Sequence, residues 1–117
     1  MPSYKDKTKE EKVKYHMSRL RGVFKNLDVN KMKTVESLIR NAAFMTVTLE
    51  ELQEDINKKG YTEEYQNGAN QWGTKQSEAV KTHIAMTRNH ATIIKTLADL
   101  APPASKGDSK LAALKKE

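Results

Sequence analysis

Residues 35–56 carry the pattern that most restricts what this chain can become. Val35, Leu38, Ala42, Met45, Leu49, Leu52 and Ile56 alternate spacings of 3 and 4. Sustained over three heptads, that is an a/d seam, the stripe by which one helix packs on another. Thr46, Val47 and Thr48 lower the local helix propensity through their branched Cβ atoms, but the spacing runs through them. Asp28 is placed as the N-cap, with Leu27 and Met32 as a hydrophobic staple around it. Lys58 and Lys59 suit the negative end of the helix dipole, and Gly60 supplies the stop.

A helix is predicted on each side of this one. From about Lys9, apolar residues recur at Val13, Met17, Leu20, Phe24 and Leu27 on one face, with Gly22 weakening the helix by roughly 1 kcal/mol relative to Ala. The third helix starts behind Ser77 as N-cap and runs to about Leu100, where Pro102-Pro103 ends it. It carries two stripes: Val80, Ile84, Ala91, Ile94 and Ala98, and then Met86, Ile93, Leu97 and Leu100. One helical neighbour does not cover both, so a second copy of the chain is the expected partner. The expected fold class is all-α: a long helical hairpin with a basic N-terminal helix. Its organisation reads as a basic amphipathic segment 1–29, an oligomerisation hairpin 30–101 with an ordered loop at 60–76, and a basic tail 102–117.

Composition supports self-association. With 37% hydrophobic residues against 31% charged, 117 residues of long helical pattern have little apolar surface for a core of their own. There is no Cys, hence no disulfide framework or thiolate site, which is compatible with a reducing cytosol. No apolar run approaches the ~20 residues of a membrane span, and the Lys-rich start lacks the apolar core of a secretory signal. The net charge of +6 is unevenly placed. Residues 1–30 hold eight Lys or Arg against four Asp or Glu. Residues 31–60 balance at five and five, residues 61–101 at four and four, and the tail holds four against two. Basic ends on a neutral centre suit a polyanionic partner.

Catalysis finds no support: there is no phosphate-binding glycine loop and no nucleophile–base motif, and no cofactor is expected. His83 and His90 stand roughly 10 Å apart along a helix, too far to share a metal, and read as core-edge or surface residues. His16 stands alone among basic residues. Glu50, Glu51, Glu54 and Asp55 form an acidic cluster that reads as a solvated helix face, with a hard-cation site as the other option. The binding chemistry lies in the first helix. Lys5, Lys9, Lys12, His16 and Arg19 follow helical spacing along one row, and Lys14, Arg21 and Lys25 line the other side of the apolar stripe. Such rows can follow duplex phosphates without reading bases, and Lys31 and Lys33 extend them. A solvated amphipathic helix with pairs such as Glu10–Lys14 is the plainer reading of the same residues. Docking on an anionic membrane is disfavoured by a short apolar face. No short Gly-containing turn joins the first two helices, so a helix-turn-helix is not expected.

The segment Asn67-Gly68-Ala69-Asn70-Gln71-Trp72-Gly73-Thr74-Lys75-Gln76-Ser77 holds the single Trp of the chain and two of its five Gly. Asn67-Gly68 suits a hairpin turn, but the flanks do not alternate apolar and polar. The segment therefore reads as an ordered loop, anchored by burial of Trp72 at a subunit contact or against the helix ends. Asn67, Gly68, Asn70, Gln71, Gly73, Lys75 and Ser77 resemble the N-G-x-N-Q-x-G-x-K-x-S stretch of tailed-phage terminase small subunits of the cohesive-end packaging type. Upstream, Asn41-Ala42-Ala43-Phe44-Met45, Leu49-Glu50-Glu51-Leu52 and Gly60 are similar to that family's long helix and its stop. Downstream, Leu97-Ala98-Asp99-Leu100-Ala101-Pro102 is similar to its close. The tail departs from the family, ending in Lys110-Leu111-Ala112-Ala113-Leu114-Lys115-Lys116 where an acidic, aromatic-containing segment is common. The resemblance implies a non-enzymatic DNA-binding subunit, assembled as a ring of helical hairpins, that recognises phage genomic DNA and brings it to the large terminase subunit. The other expectation is a helical adaptor protein with no direct nucleic-acid role.

Overall fold

The computed structural model describes residues 3–102. A short 3-10 turn at Tyr4–Asp6 leads into α1 (Lys9–Val23) and then α2 (Val29–Lys59). Strands β1 (Thr62–Gln66) and β2 (Trp72–Gln76) follow, and α3 (Glu78–Leu100) closes the order. The chain is mostly helical with one small antiparallel sheet. At 1.5 Å per residue α2 is about 46 Å long, and both α1 and α3 pack along it. The result is elongated, 63 × 33 × 23 Å.

The helix limits follow from local chemistry. Thr8 and Glu11 form a reciprocal capping box at the start of α1, which satisfies two otherwise orphaned N–H groups. The Asp28 carboxylate accepts the N–H groups of Asn30 (2.8 Å) and Lys31 (3.2 Å). Ser77 accepts that of Val80 (3.1 Å) at the start of α3. Gly60 ends α2 at φ 86°, a backbone conformation that Gly adopts freely. The expected first helix is shorter than its apolar spacing: α1 ends at Val23, next to the weak helix former Gly22. Phe24 leaves the helix at φ −113° and accepts the Leu27 N–H in a tight turn.

The core sits where α1 turns into α2. Met17, Leu20, Val23 and Phe24 meet Val35, Ile39, Ala42 and Ala43 of α2, and Ile94, Leu97, Ala98 and Ala101 at the end of α3. The seam differs from its expected composition. Val35, Ala42 and Ile56 are buried, whereas Leu38, Met45, Leu49 and Leu52 are only half-buried. Ile39, Ala43 and Val47 are buried instead. The reason is that α2 serves two neighbours, so its buried arc is wider than an a/d seam and lies between α1 and α3. On α3 the two expected stripes merge. Ile94, Leu97 and Ala98 are buried, His83, Met86, His90 and Ile93 are half-buried, and Ile84, Ala91 and Leu100 face solvent in the single chain. No helix among the described residues is long and apolar enough to cross a membrane.

The connection 60–76 is a β-hairpin, which corrects the expectation of an irregular ordered loop. Thr62 pairs with Gln76, Glu63 with Lys75, Glu64 with Thr74, Tyr65 with Gly73 and Gln66 with Trp72. Asn67 donates its N–H to the Gln71 carbonyl (2.8 Å), and Gln71 donates to the Gly68 carbonyl (3.2 Å). Gly68 at φ 108° and Asn70 at φ 64° supply the left-handed residues that turn the chain. Gly73 lies beneath the Tyr65 ring, where a Cβ would meet ring atoms at 2.9 Å. Alternation is missing from the sequence because neither face of this sheet packs on a core, so no face had to be apolar.

Candidate nucleic-acid interface and hairpin arm

The basic residues of the N-terminal segment fall into two groups. The first group faces the rest of the protein. Lys9 forms an ion pair with Glu51 (2.9 Å), donates to Thr48 Oγ1 (3.1 Å) and lies 4.4 Å from the centre of the Phe44 ring. Lys12 and Arg19 lie over the rings of Tyr4 and Tyr15. His16 is buried, with Nε2 2.9 Å from the Tyr4 hydroxyl, and that hydroxyl donates in turn to Glu50. His16 is therefore a packed residue of the α1–α2 junction, not an isolated member of a basic row. Arg21 grips Glu36 through Nε and a terminal nitrogen, with Nε 3.1 Å from both carboxylate oxygens. Lys14 belongs to neither group's packing: it pairs with Glu10 at 3.6 Å along the solvent side of α1, as the spacing suggested, and both side chains stay exposed.

The second group faces outward. Lys25 in the turn, and Lys31 and Lys33 in the first turns of α2, are exposed, and none has a carboxylate within ion-pair distance among the described residues. Lys5 is exposed near the other end of α1. Lys25, Lys31 and Lys33 surround the tip where α1 turns into α2, which is also the positive end of the α2 dipole, with Lys31 and Lys33, two residues apart, on different sides of α2. Arg40, seven residues beyond Lys33 on the same helix face, is exposed as well. Sequence reasoning passed over Arg40, although its i,i+7 spacing from Lys33 is a usable signal. Lys110, Lys115 and Lys116 of the tail lie outside the described residues.

The acidic cluster is not simply a solvated face. Glu50 and Glu51 hold Tyr4 and Lys9, and Asp55 pairs with Lys59 at 3.1 Å. Glu54 lines an open cleft of about 790 Å³ with His16, His83 and His90. His90 lies 2.9 Å from Thr46 Oγ1 at the core edge. No group of three or more acidic or histidine side chains among the described residues is placed to hold a metal ion.

The Arg21–Glu36 contact ties α1 to α2 beside the basic tip and makes a pH prediction. The Arg21 guanidinium holds the Glu36 carboxyl below the usual carboxylate range, chiefly by hydrogen bonding. A lowered folded-state pKa stabilises above the ordinary carboxylate pKa of about 4.3, and the gain is lost as pH falls through the lowered value. Glu36→Gln should therefore be less stable than the parent at neutral pH, with the gap closing in acid. Arg21 is 45% exposed, so solvent screening keeps the neutral-pH gap to roughly 1 kcal/mol. Denaturant midpoints of both proteins from pH 7 down to pH 3 check it, and a gap that is constant with pH refutes it.

The motif residues of the hairpin are brought together but turned outward. Trp72 is 65% exposed in the single chain, which corrects the expectation that it buries against the helix ends. Tyr61 and Tyr65 are exposed too. Lys75 is bound between Glu63 (3.4 Å) and Glu78 (3.3 Å), and these carboxylates raise its pKa. It thus fastens the sheet to the start of α3. Ser77 donates its N–H to the Tyr61 carbonyl (2.9 Å) and closes the base of the arm. No family model, curated protein or solved structure matches the chain.

Proposed function

We propose that the chain is a non-enzymatic, DNA-binding small subunit of a tailed-phage terminase. It works in the host cytoplasm as an oligomeric ring that recognises phage genomic DNA and presents it to the large subunit, which supplies motor and nuclease. The seven motif residues from Asn67 to Ser77 support the family. The observation that carries the DNA-binding half is the exposure of Lys25, Lys31 and Lys33 around one tip of the molecule, with no carboxylate at ion-pair distance among the described residues. The remaining N-terminal cations are largely engaged with carboxylates and rings of the same chain, so these three are the charges best placed to neutralise phosphates. Arg40 extends this charge along α2, on the same helix face as Lys33. The exposed arm and the half-covered outer faces of α2 and α3 support self-assembly.

The engagement of Lys9 and Arg21 with Glu51 and Glu36 also favours a second reading, a helical adaptor whose basic terminus serves only internal packing. Duplex binding separates the two. The packaging subunit should bind duplex DNA at low salt and lose it steeply as salt rises, because each neutralised phosphate releases counterions. An adaptor should show no binding at either salt.

A further inference from the structure

We propose that the outer edge of β2 is a self-pairing edge, on which the hairpins of two copies join into a four-stranded antiparallel sheet centred on Thr74. The inference rests on the self-assembly half of the proposed function and is independent of DNA binding.

The hairpin as it stands is under-supported. A lone two-stranded hairpin is at best marginally stable in water, and here almost every strand residue is exposed. The ladder bonds at its two ends, Asn67 to Gln71 and Ser77 to Tyr61, fix the alternation. Odd-numbered residues exchange hydrogen bonds within the hairpin. Even-numbered residues turn their N–H and C=O outward: Thr62, Glu64 and Gln66 on the β1 edge, and Trp72, Thr74 and Gln76 on the β2 edge.

Charge and side-chain pairing choose between the two edges. Two-fold antiparallel pairing on β1 centred on Glu64 sets that carboxylate directly opposite its own copy, with Glu63 adjacent, and like charges facing each other destabilise a sheet. The same operation on β2 sets Thr74 opposite Thr74 of the second copy, a favourable cross-strand pair. It sets Trp72 opposite Gln76 of the second copy, and Lys75 opposite Gly73 of the second copy. No like charges face each other. Each Trp72 indole then lies along Gln76 and Thr74 of the second copy and is covered. Residue 71 comes beside Ser77 of the second copy, so the two helical bodies leave from opposite ends of the joint sheet. The contact is isologous and closed, so it does not propagate into filaments. A ring that carries it has dihedral symmetry, with the hairpins joining two layers.

The chain has no Cys, so one introduced thiol reports one contact. Facing residues of a hydrogen-bonded antiparallel pair have Cβ atoms about 5.5 Å apart, wider than the roughly 3.5–4.5 Å of a direct disulfide, so a short thiol-reactive cross-linker that is itself cleaved by reduction spans the pair. Full-length Thr74→Cys, treated with it without DNA, should run at twice 13.3 kDa on a non-reducing gel and revert on reduction. Glu64→Cys should stay single under the same treatment. The emission of Trp72, the only Trp, should be blue-shifted in the cross-linked species relative to dilute single chains. Equal cross-linking of both variants, or none of either, overturns the proposal. Cross-linking only when the two variants are mixed overturns it in favour of β1-to-β2 pairing around a ring. Because no DNA is present, loss of duplex binding elsewhere leaves this result intact.

Discussion

Replacing Lys25, Lys31 and Lys33 together by Ala is expected to remove most of the salt-sensitive affinity for duplex DNA. At ~0.9 per phosphate, three lost contacts flatten the slope of log affinity against log salt by roughly 2–3 units per bound chain. All three side chains are exposed and lie outside the core, so the variant should keep its fold and its mass. The informative control is Lys9→Ala with Lys12→Ala, in the same segment. Lys9 is tied to Glu51, Thr48 and Phe44, and Lys12 lies over Tyr4. That pair should change the salt slope little and the stability more. If the control flattens the slope and the tip variant does not, the N-terminal row is the DNA site and the tip is not.

Phe24→Ala is expected to have the largest effect on stability, about 3–5 kcal/mol. Phe24 is 1% exposed and is among the largest fully buried side chains. It sits in the turn where α1 gives way to α2, within the core cluster that joins all three helices. A loss of that size is a large share of the roughly 5–15 kcal/mol that holds a typical domain together. The other Phe of the chain supplies the comparison. Phe44 is 49% exposed and contributes chiefly its contact with Lys9, an exposed cation–π pair worth roughly 0.5–1 kcal/mol. Chemical denaturation should show a large fall in midpoint for Phe24→Ala and a small one for Phe44→Ala. Equal effects would mean that the junction is not the centre of the core.

Helices and caps were legible in the sequence because their signals are local. Asp28, Gly60 and Ser77 act where their chemistry placed them, and the 3.6-residue period marked all three helices. What was not legible depends on partners. The heptad rule finds the face turned to one neighbour, so it selected Leu38, Met45 and Leu49 and passed over Ile39, Ala43 and Val47. Those three lie on a second i,i+4 line beside the seam, where α2 also receives α1. The hairpin was missed because its faces touch no core, so the alternation that normally betrays a strand had no cause. Its turn residues Gly68 and Asn70 were the better signal. Among the candidate site residues, spacing identified the basic rows, but the sequence-distant partners Glu36, Glu50 and Glu51 of the same chain decided which cations face outward. Those partners lie 15 to 46 residues away in sequence, beyond the reach of any local pattern.

Copies of this chain are expected to assemble and to bind duplex DNA together. Sedimentation of the full chain mixed with a short duplex at low salt tests both halves in one experiment. The expected result is a complex holding one duplex and several chains of 13.3 kDa, dissolving into DNA-free oligomer as salt is raised. A 13.3 kDa monomer sedimenting apart from unbound duplex at low salt would contradict it.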